Sequence, residues 1–286
     1  MSDAVMEKQA SIPEIGKTVS VNGVRTNYHE QGEGPPLLLI HGSGPGVTAW
    51  ANWRANLPEF AKDFHVYAPD MIGFGYTDAP AGGIKDKQVW IDHLAGFLDA
   101  MGIEKASLVG NSFGGALTIA FMIAHPDRVD RAVLMGAAGV EFPITEALDF
   151  VWGYEPSMDM MRKTIAYLST DPSRITESLI ESRYEASKRP AAHEPYAATF
   201  GPKPRQNHLK MLCSSEEQVA AIQHEVLILH GKLDQVIPLE VSERLVKLIK
   251  NSDLHAFGNC GHWVQIERAA SFNRLVTQFV KQGLNG

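Results

Sequence analysis

One pentapeptide, Gly110-Asn111-Ser112-Phe113-Gly114, constrains the fold of this chain more than any other feature. The short apolar run ASLVG leads into it, and the longer apolar run GALTIAFMIA continues from it. This order predicts a strand, a sharp turn and a helix, with the serine at the turn. The glycines permit the tight backbone, and the helix N-terminus points at any negative charge that develops beside the hydroxyl. Because Gly-x-Ser-x-Gly also occurs by chance in glycine-rich turns, the flanking elements carry the prediction.

Short apolar runs alternate with helix-period segments along most of the chain. The runs are LLLI at 37–40, FHVYAPD at 64–70, ASLVG at 106–110, RAVLMG at 131–136, EVLILHG at 225–231 and LHAFG at 254–258. Runs of this kind suit strands buried on both faces, so they predict a parallel sheet with right-handed crossovers. Asn22-Gly23 divides residues 17–31 into an antiparallel hairpin at the start of the sheet. Helices are predicted near 239–250 and 266–282.

The strand pattern stops between about 140 and 210. Helical segments there, such as MDMMRKTIAYL and RITESLIESRYEAS, are separated by Pro156, Pro172 and Pro190. We interpret residues 141–211 as a helical cap inserted in a core formed by 15–140 and 212–286, with 1–14 as an N-terminal tail. The fold class is therefore α/β, with a mostly parallel eight-stranded sheet flanked by helices.

Composition excludes several classes of function. The formal charge is -7, from 26 Lys+Arg against 33 Asp+Glu, which provides no basic footprint for nucleic acid. No apolar stretch approaches the roughly 20 residues that span a bilayer, and no secretory signal is recognisable, so we expect a cytoplasmic protein without a membrane partner. Cys213 and Cys260 are predicted to be ordinary thiols. No phosphate loop, dinucleotide fingerprint or cluster of metal ligands appears, so no cofactor and no metal are expected.

Ser112 needs a base, and two later strands each lead into a suitable residue. Asp234 follows the strand at 225–231, and His262 follows the strand at 254–258. The order Ser, Asp, His is typical of the α/β-hydrolase fold, in which His262 takes the proton and Asp234 orients its ring. Alternatively, Asp234 caps the helix that begins near Pro238, and His262 is a histidine of the core.

The sequence after the strand ending at Ile40 is rich in glycine, His41-Gly42-Ser43-Gly44-Pro45-Gly46. In an α/β hydrolase this loop lies beside the serine turn. We therefore predict that the backbone N–H groups of Ser43 and Phe113 form the oxyanion hole, although an ordinary turn would have the same composition.

Several longer motifs resemble the meta-cleavage product hydrolases. They are HGSGPGVTAWANWR at 41–54, APDMIGFGYTD at 68–78, GNSFGG at 110–115 and CGHWVQIE at 260–267, with VWGYEPS at 151–157 and RYEAS at 183–187 in the predicted cap. The resemblance extends from about Ile15 to the final helix. It implies hydrolysis of a carbon–carbon bond in a vinylogous 1,5-diketone, giving 2-hydroxypenta-2,4-dienoate and a carboxylic acid. Either an acyl-enzyme on the serine or serine-assisted attack by water is compatible with it.

The resemblance also implies which residues bind the dienoate. Asn52, Asn111, Arg183 and Trp263 match its polar contacts, together with Gly42 and Gly44 of the glycine-rich loop. A planar guanidinium suits a carboxylate because it donates two parallel bonds. On the residues alone, Arg183 could be a solvated helix residue, Asn52 a helix cap and Trp263 a core aromatic.

The motifs are more similar to family members that act on products of single aromatic rings, which favours 2-hydroxymuconic semialdehyde and its 6-alkyl homologues. The segment at 197–215 matches them only loosely and leaves the size of the 6-substituent open. A homo-oligomer is implied as well. Two rivals remain: a carboxylesterase or related acyl hydrolase with the same triad, and a ligand receptor on the same fold.

Overall fold

The computed structural model describes residues 13–285, so most of the predicted N-terminal tail, residues 1–14, lies outside the described residues. One sheet contains eight strands, in the spatial order β1-β2-β4-β3-β5-β6-β7-β8. The strands are β1 (Lys17–Val21), β2 (Val24–Gln31), β3 (Pro36–Ile40), β4 (His65–Pro69), β5 (Ala106–Asn111), β6 (Val129–Met135), β7 (Val226–Gly231) and β8 (Ser252–Phe257). Only β2 runs antiparallel to its neighbours, β1 and β4. The predicted mostly parallel eight-stranded sheet is confirmed.

The first turn follows from its two residues. Asn22 and Gly23 connect β1 to β2 with φ angles of 50° and 84°. Asparagine and glycine are the residues that adopt positive φ most readily, so the tight hairpin forms at low cost. The predicted antiparallel start of the sheet is therefore present.

Helices cover both faces of the sheet. They are α1 (Ala49–Trp53), α2 (Leu57–Phe60), α3 (Gln88–Ala100), α4 (Phe113–Ala124), α10 (Glu216–Ala220), α11 (Leu239–Leu248), α12 (Val264–Glu267) and α13 (Ala269–Gln282), where α5 to α9 belong to the segment between β6 and β7. Alternate residues of each strand enter different cores. In β3, for example, Leu38 and Ile40 pack in the core that contains α3 and α4, while Leu37 and Leu39 pack against α1, α2 and α13.

The described chain between β6 and β7 contains helices and no strand, as the sequence predicts. The helices are α5 (Glu146–Trp152), α6 (Met158–Leu168), α7 (Glu177–Ser187), α8 (Pro190–Phe200) and α9 (Gln206–Leu212), with a short 3-10 turn at Pro172–Arg174. Serine or threonine side chains cap the N-termini of α5, α6 and α7. The helical insert is thus confirmed, whereas its predicted limits, 141–211, stay a prediction.

A buried histidine of α3 makes stability depend on pH. His93 of α3 is 3% exposed, and its Nε2 pairs with the Thr26 hydroxyl at 2.9 Å. Burial lowers the pKa of His93 to about 4. Because the folded state binds this proton less tightly than the unfolded chain, the stabilisation is complete above the ordinary histidine pKa and is lost as the pH falls toward 4.

We therefore expect His93→Leu to flatten the acid dependence of folding. Between pH 7 and pH 5 the wild type should lose about 2 kcal/mol of unfolding free energy that the variant does not lose, measured by urea denaturation. The same substitution at the exposed His255 is the control and should keep the wild-type slope. Equal slopes in all three proteins would contradict this account of His93.

Candidate active site

The serine turn has the strained geometry that its glycines allow. Ser112 joins β5 to α4 with φ 55° and ψ -112°, a region that residues with side chains rarely adopt. A Cβ on Gly110 would lie 2.4 Å from the carbonyl oxygen of Gly114, and a Cβ on Gly114 would lie 2.3 Å from that of Ile40. Both glycines are therefore required, because the helix, the turn and β3 approach too closely for any side chain. The predicted strand, turn and helix are all present.

The ends of β7 and β8 bring the other two predicted catalytic residues together. Nδ1 of His262 lies 2.6 Å from Oδ2 of Asp234, and their side chains are 3% and 1% exposed. Oδ1 of Asp234 accepts hydrogen bonds from the backbone N–H groups of Val236 and Ile237 at 2.8 and 3.0 Å. The carboxylate thus orders the loop before α11 and also orients the His262 ring.

A second histidine, which the sequence analysis missed, lies on the same carboxylate. His230 is fully buried, with Nε2 3.4 Å from Oδ2 of Asp234. Burial alone would raise the pKa of Asp234, but the positive charge of His262, its hydrogen bond to Oδ2 and the nearby N–H of His230 lower it below its ordinary value. Asp234 therefore stays ionised. The only sequence signal for His230 is its place four residues before Asp234 in HGKLD.

Ser112 and His262 line one cavity, which we call the active-site cavity. In the part of the chain that the structure describes, no hydrogen bond joins their side chains. Catalytic hydrogen bonds are often formed only when substrate is bound. With Nδ1 held by Asp234, Nε2 is the ring nitrogen that remains for proton transfer.

A buried histidine holds the glycine-rich loop in place. Nε2 of His41 accepts a hydrogen bond from the backbone N–H of Met71 at 3.0 Å, and Nδ1 lies 2.8 Å from the carbonyl oxygen of Gly42. Because Nε2 accepts, Nδ1 carries the hydrogen and the ring is neutral. Burial lowers the pKa of His41 to about 4, which favours this neutral form.

Of the two predicted oxyanion residues, Ser43 of the loop lines the cavity, and Phe113 follows Ser112 at the start of α4. The Ser43 hydroxyl accepts a hydrogen bond from Nε1 of Trp152 at 3.0 Å. Phe113 is the first residue of α4, so no earlier helical carbonyl is available to its N–H. A Cβ on Gly42 would lie 2.9 Å from Oδ1 of Asn111, so this glycine keeps the loop close to the serine turn.

Two chemically different groups of residues line the active-site cavity. One group of lining residues supplies polar groups or bare backbone: Gly42, Ser43, Gly44, Asn52, Asn111, Ser112, Arg183, His262 and Trp263. The other group is aliphatic: Val47, Leu148, Val151, Leu168 and Val236. Of the aliphatic group, Leu148, Val151 and Leu168 come from α5 and α6, so the helical insert forms part of the wall. Sequence reasoning had not singled out any of the five.

Arg183 of α7 supplies positive charge among the polar lining residues. Its Nη2 lies 3.4 Å from the position that a Cβ on Gly44 would occupy, and its guanidinium carbon is 6.0 Å from the centre of the Trp263 ring. Burial lowers the pKa of Arg183 below its ordinary value, although a guanidinium remains charged at neutral pH. Among the described residues, no carboxylate forms a salt bridge with it. An anionic ligand would therefore complete its contacts.

Two buried amides beside Arg183 have polar atoms without protein partners. Nδ2 of Asn52 is unpaired, as are Nε2 and Oε1 of Gln265, which is fully buried. Thr48, and not Asn52, caps α1, so the alternative of a helix cap does not apply to Asn52. Asn52, Arg183 and Trp263 border both the active-site cavity and a second pocket lined by Gln265. All four substrate-binding side chains predicted from the resemblance therefore line one cavity.

The loop that carries His262 is attached to the insert. The N–H of Trp263 donates to the carbonyl oxygen of Leu168 at 3.1 Å. Glu267 accepts a hydrogen bond from the Thr170 hydroxyl at 2.9 Å and another from the N–H of Gly261 at 3.2 Å. The end of α6 thus fixes the backbone on both sides of His262.

Other predictions concern cysteines, metals and membranes. Cys213 and Cys260 are free and buried, and burial raises the pKa of each thiol to about 12. Within residues 13–285, no group of three or more His, Cys, Asp or Glu side chains is arranged to hold a metal ion. None of the helices described is both long enough and apolar enough to cross a bilayer.

Comparison with known proteins places this geometry in a family. Residues 35–269 match the family model described as alpha/beta hydrolase fold. The chain is 52% identical to the 2-hydroxymuconate semialdehyde hydrolase of Pseudomonas sp. (strain CF600), covering 97% of this chain and 98% of that one. It is 54% identical to the 2-hydroxy-6-oxo-2,4-heptadienoate hydrolase of Pseudomonas putida (strain F1), covering 93% and 96%.

A solved structure agrees with these matches. The meta-cleavage product hydrolase of Pseudomonas fluorescens IP01, solved as a serine-to-alanine mutant complexed with acetates, superposes with a TM-score of 0.92. The two chains are 50% identical, and the match covers 94% of this chain and 98% of the other. Sequence motifs, fold and relatives agree: the chain belongs to the meta-cleavage product hydrolases of the α/β-hydrolase fold.

Proposed function

We propose that this enzyme hydrolyses the bond between C5 and C6 of 2-hydroxy-6-oxohexa-2,4-dienoates formed in bacterial degradation of aromatic rings. Its substrates are 2-hydroxymuconic semialdehyde or the 6-alkyl homologues, and its products are 2-hydroxypenta-2,4-dienoate and a carboxylic acid. The observation that carries the proposal is the composition of the cavity, in which Ser112 and His262 lie together with the cation Arg183 and with aliphatic residues such as Val151 and Val236. We place the dienoate against the polar lining residues, which we call the polar end, and the 6-substituent against the aliphatic lining residues, which we call the aliphatic end.

The polar end matches the dienoate half of the substrate. Arg183 can make two charge-assisted bonds to the carboxylate, and the unpaired Nδ2 of Asn52 is a further donor. Asn111 lies beside the serine. These contacts hold the substrate so that its C6 carbonyl faces Ser112, while the 6-substituent enters the aliphatic end.

The reaction begins with ketonisation. In the dienol form C5 is a poor leaving group, because no C2 ketone is available to accept the electrons of the C5–C6 bond. A proton is added at C5 as the 2-hydroxyl gives up its own, and the substrate becomes a 2,6-diketone. His262 then takes the proton of Ser112 while the serine oxygen adds to C6. The N–H groups of Ser43 and Phe113 stabilise the resulting oxyanion, each by about 3 kcal/mol.

Cleavage follows when the C6 carbonyl re-forms. The electrons of the C5–C6 bond pass along the conjugated chain to the C2 oxygen, which receives from His262 the proton that came from Ser112, so 2-hydroxypenta-2,4-dienoate departs and the acyl group stays on Ser112. A water molecule, deprotonated by the neutral His262, then adds to the acyl carbon, and His262 returns that proton to the Ser112 oxygen as the carboxylic acid leaves. Asp234 stabilises the imidazolium in both halves because it remains ionised.

A small 6-substituent is favoured by the walls of the aliphatic end and by the relatives. Leu148, Val151, Leu168 and Val236 are branched or bulky and enclose that end. The relatives at 52% and 54% identity are named for 2-hydroxymuconate semialdehyde and 2-hydroxy-6-oxo-2,4-heptadienoate. A Comamonas testosteroni relative named for the 6-phenyl compound is only 34% identical.

Assembly into a homo-oligomer is also part of the proposal, because the family resemblance implies it. The two rival functions differ from the proposal in measurable ways. A simple esterase would not depend on Arg183, and a receptor would bind substrate without repeated turnover.

The function is tested by mixing purified enzyme with 2-hydroxymuconic semialdehyde, its 6-methyl and 6-phenyl analogues, and an aryl acetate. We expect rapid loss of the yellow dienolate absorbance and release of formate or acetate, with kcat/KM at least about tenfold lower for the 6-phenyl compound. Hydrolysis of the ester alone would favour the esterase. Stoichiometric binding without turnover would favour the receptor.

Arg183→Gln separates the dienoate site from the general hydrolytic machinery. Losing the bidentate contact should lower kcat/KM for the dienoate about a hundredfold, while aryl acetate hydrolysis stays within about twofold. Arg162→Gln is the matched control, because Arg162 is an exposed arginine of α6 that pairs with Glu177. If Arg183→Gln slows both substrates equally, or neither, Arg183 does not bind the substrate carboxylate.

A further inference from the structure

Two buried side chains extend the predicted triad beyond Asp234. Nδ1 of His230 lies 2.7 Å from the hydroxyl oxygen of Ser242, and Nε2 lies 3.0 Å from the carbonyl oxygen of Ile237. Nε2 also lies 3.4 Å from Oδ2 of Asp234. His230 and Ser242 are both fully buried. They contact neither the cavity nor Ser112, so the reaction as described does not use them.

The hydrogen-bond partners fix the tautomer of His230. The Ile237 carbonyl and the Asp234 carboxylate only accept hydrogen bonds, so Nε2 carries the hydrogen that faces both of them. In the neutral ring Nδ1 is then the acceptor, and the Ser242 hydroxyl donates to it. Ser242 lies on α11, one turn after the helix starts, so the helix holds the ring from the side opposite to Asp234.

These contacts surround the carboxylate. Oδ1 accepts hydrogen bonds from the N–H groups of Val236 and Ile237, and Oδ2 lies 2.6 Å from Nδ1 of His262. The Nε2–H of His230, which is bonded to the Ile237 carbonyl, lies 3.4 Å from the same Oδ2. Its partial positive charge therefore faces the oxygen that His262 contacts, and together these groups restrict rotation of the Asp234 carboxylate.

We infer that His230 is a positioning residue for the triad: held by Ser242, it fixes the Asp234 carboxylate and limits how strongly Asp234 retains the proton on His262. The inference deepens the proposed function and rests on the triad assigned there. Around His230, the titratable groups of the described residues are Asp234, His262 beyond it, and the Cys260 thiol after β8, with Glu267 and Arg268 further along the loop. Only Asp234 contacts His230 directly.

Loss of the His230 donor should change the pH dependence of kcat/KM in one direction. Without the His230 donor, Oδ2 of Asp234 carries more negative charge and stabilises protonated His262 more strongly. Because the base must be unprotonated, the acid limb of the kcat/KM profile moves upward.

The test compares His230→Leu with His230→Gln across the pH range. We expect His230→Leu to lower kcat about tenfold to a hundredfold with KM nearly unchanged, and to shift the acid limb upward by about half a pH unit or more. His230→Gln keeps an N–H donor and should recover most of both properties. His93→Leu, a change of the same kind at another buried histidine, should retain wild-type activity and profile.

Each result bears on the inference. Loss of activity by the same factor at every pH, or a His230→Gln enzyme as impaired as His230→Leu, assigns His230 to packing alone and overturns it. Should His230→Leu not fold, His230→Met provides the same test with a more adaptable side chain. Profiles are recorded with both the dienoate and an aryl acetate. If the wild type hydrolyses only the ester, the proposed function fails while the ester profiles still test His230.

Discussion

The approach of β3, β5 and α4 to within backbone contact is the constraint on which the rest of the site depends. Gly114 packs on the carbonyl of Ile40, and Gly110 packs on that of Gly114, at distances that exclude any side chain. This packing holds Ser112 at a positive φ that it would otherwise avoid, and the cost is of the order of 1–3 kcal/mol. Because of this turn, the hydroxyl of Ser112 lies at the edge of the sheet, next to the first N–H of α4. The glycine-rich loop after β3 reaches the same point because β3 is the neighbour of β5.

The parallel sheet explains why residues distant in sequence meet there. β3, β5, β7 and β8 all end at the same edge, so His41, Ser112, Asp234 and His262 converge without long connections. The order of Ser112, Asp234 and His262 along the chain, each after an apolar run, was enough to predict this part from sequence, since continuous apolar runs show where strands end. His230 was not predictable in the same way. A histidine at the end of a buried strand has no periodic signal, and only its contacts with Ser242 and Asp234 give it a role.

The helical insert was less predictable from sequence than the strand ends. Its helices could be predicted from periodicity and prolines, but not which of their side chains face the site, because α5 and α6 bury apolar residues against the core as well as the cavity. Leu148, Val151 and Leu168 were therefore missed. Arg183 was identified through family resemblance, because a charged residue on α7 is not distinguishable by pattern from its solvated neighbours. The hydrogen bonds of Glu267 with Thr170 and of Trp263 with Leu168 link the cavity wall formed by the insert to the loop that carries His262. The same contacts therefore support substrate binding and proton transfer.

The central claim, that Ser112 cleaves a carbon–carbon bond in this cavity, is tested most directly by Ser112→Ala in single-turnover reactions with 2-hydroxy-6-oxohepta-2,4-dienoate. Acetate release is measured beside the dienolate absorbance. The account predicts that the variant still binds the dienoate but releases acetate at least about a thousandfold more slowly than the wild type. Acetate release at the wild-type rate would contradict it, and the nucleophile would have to be sought elsewhere.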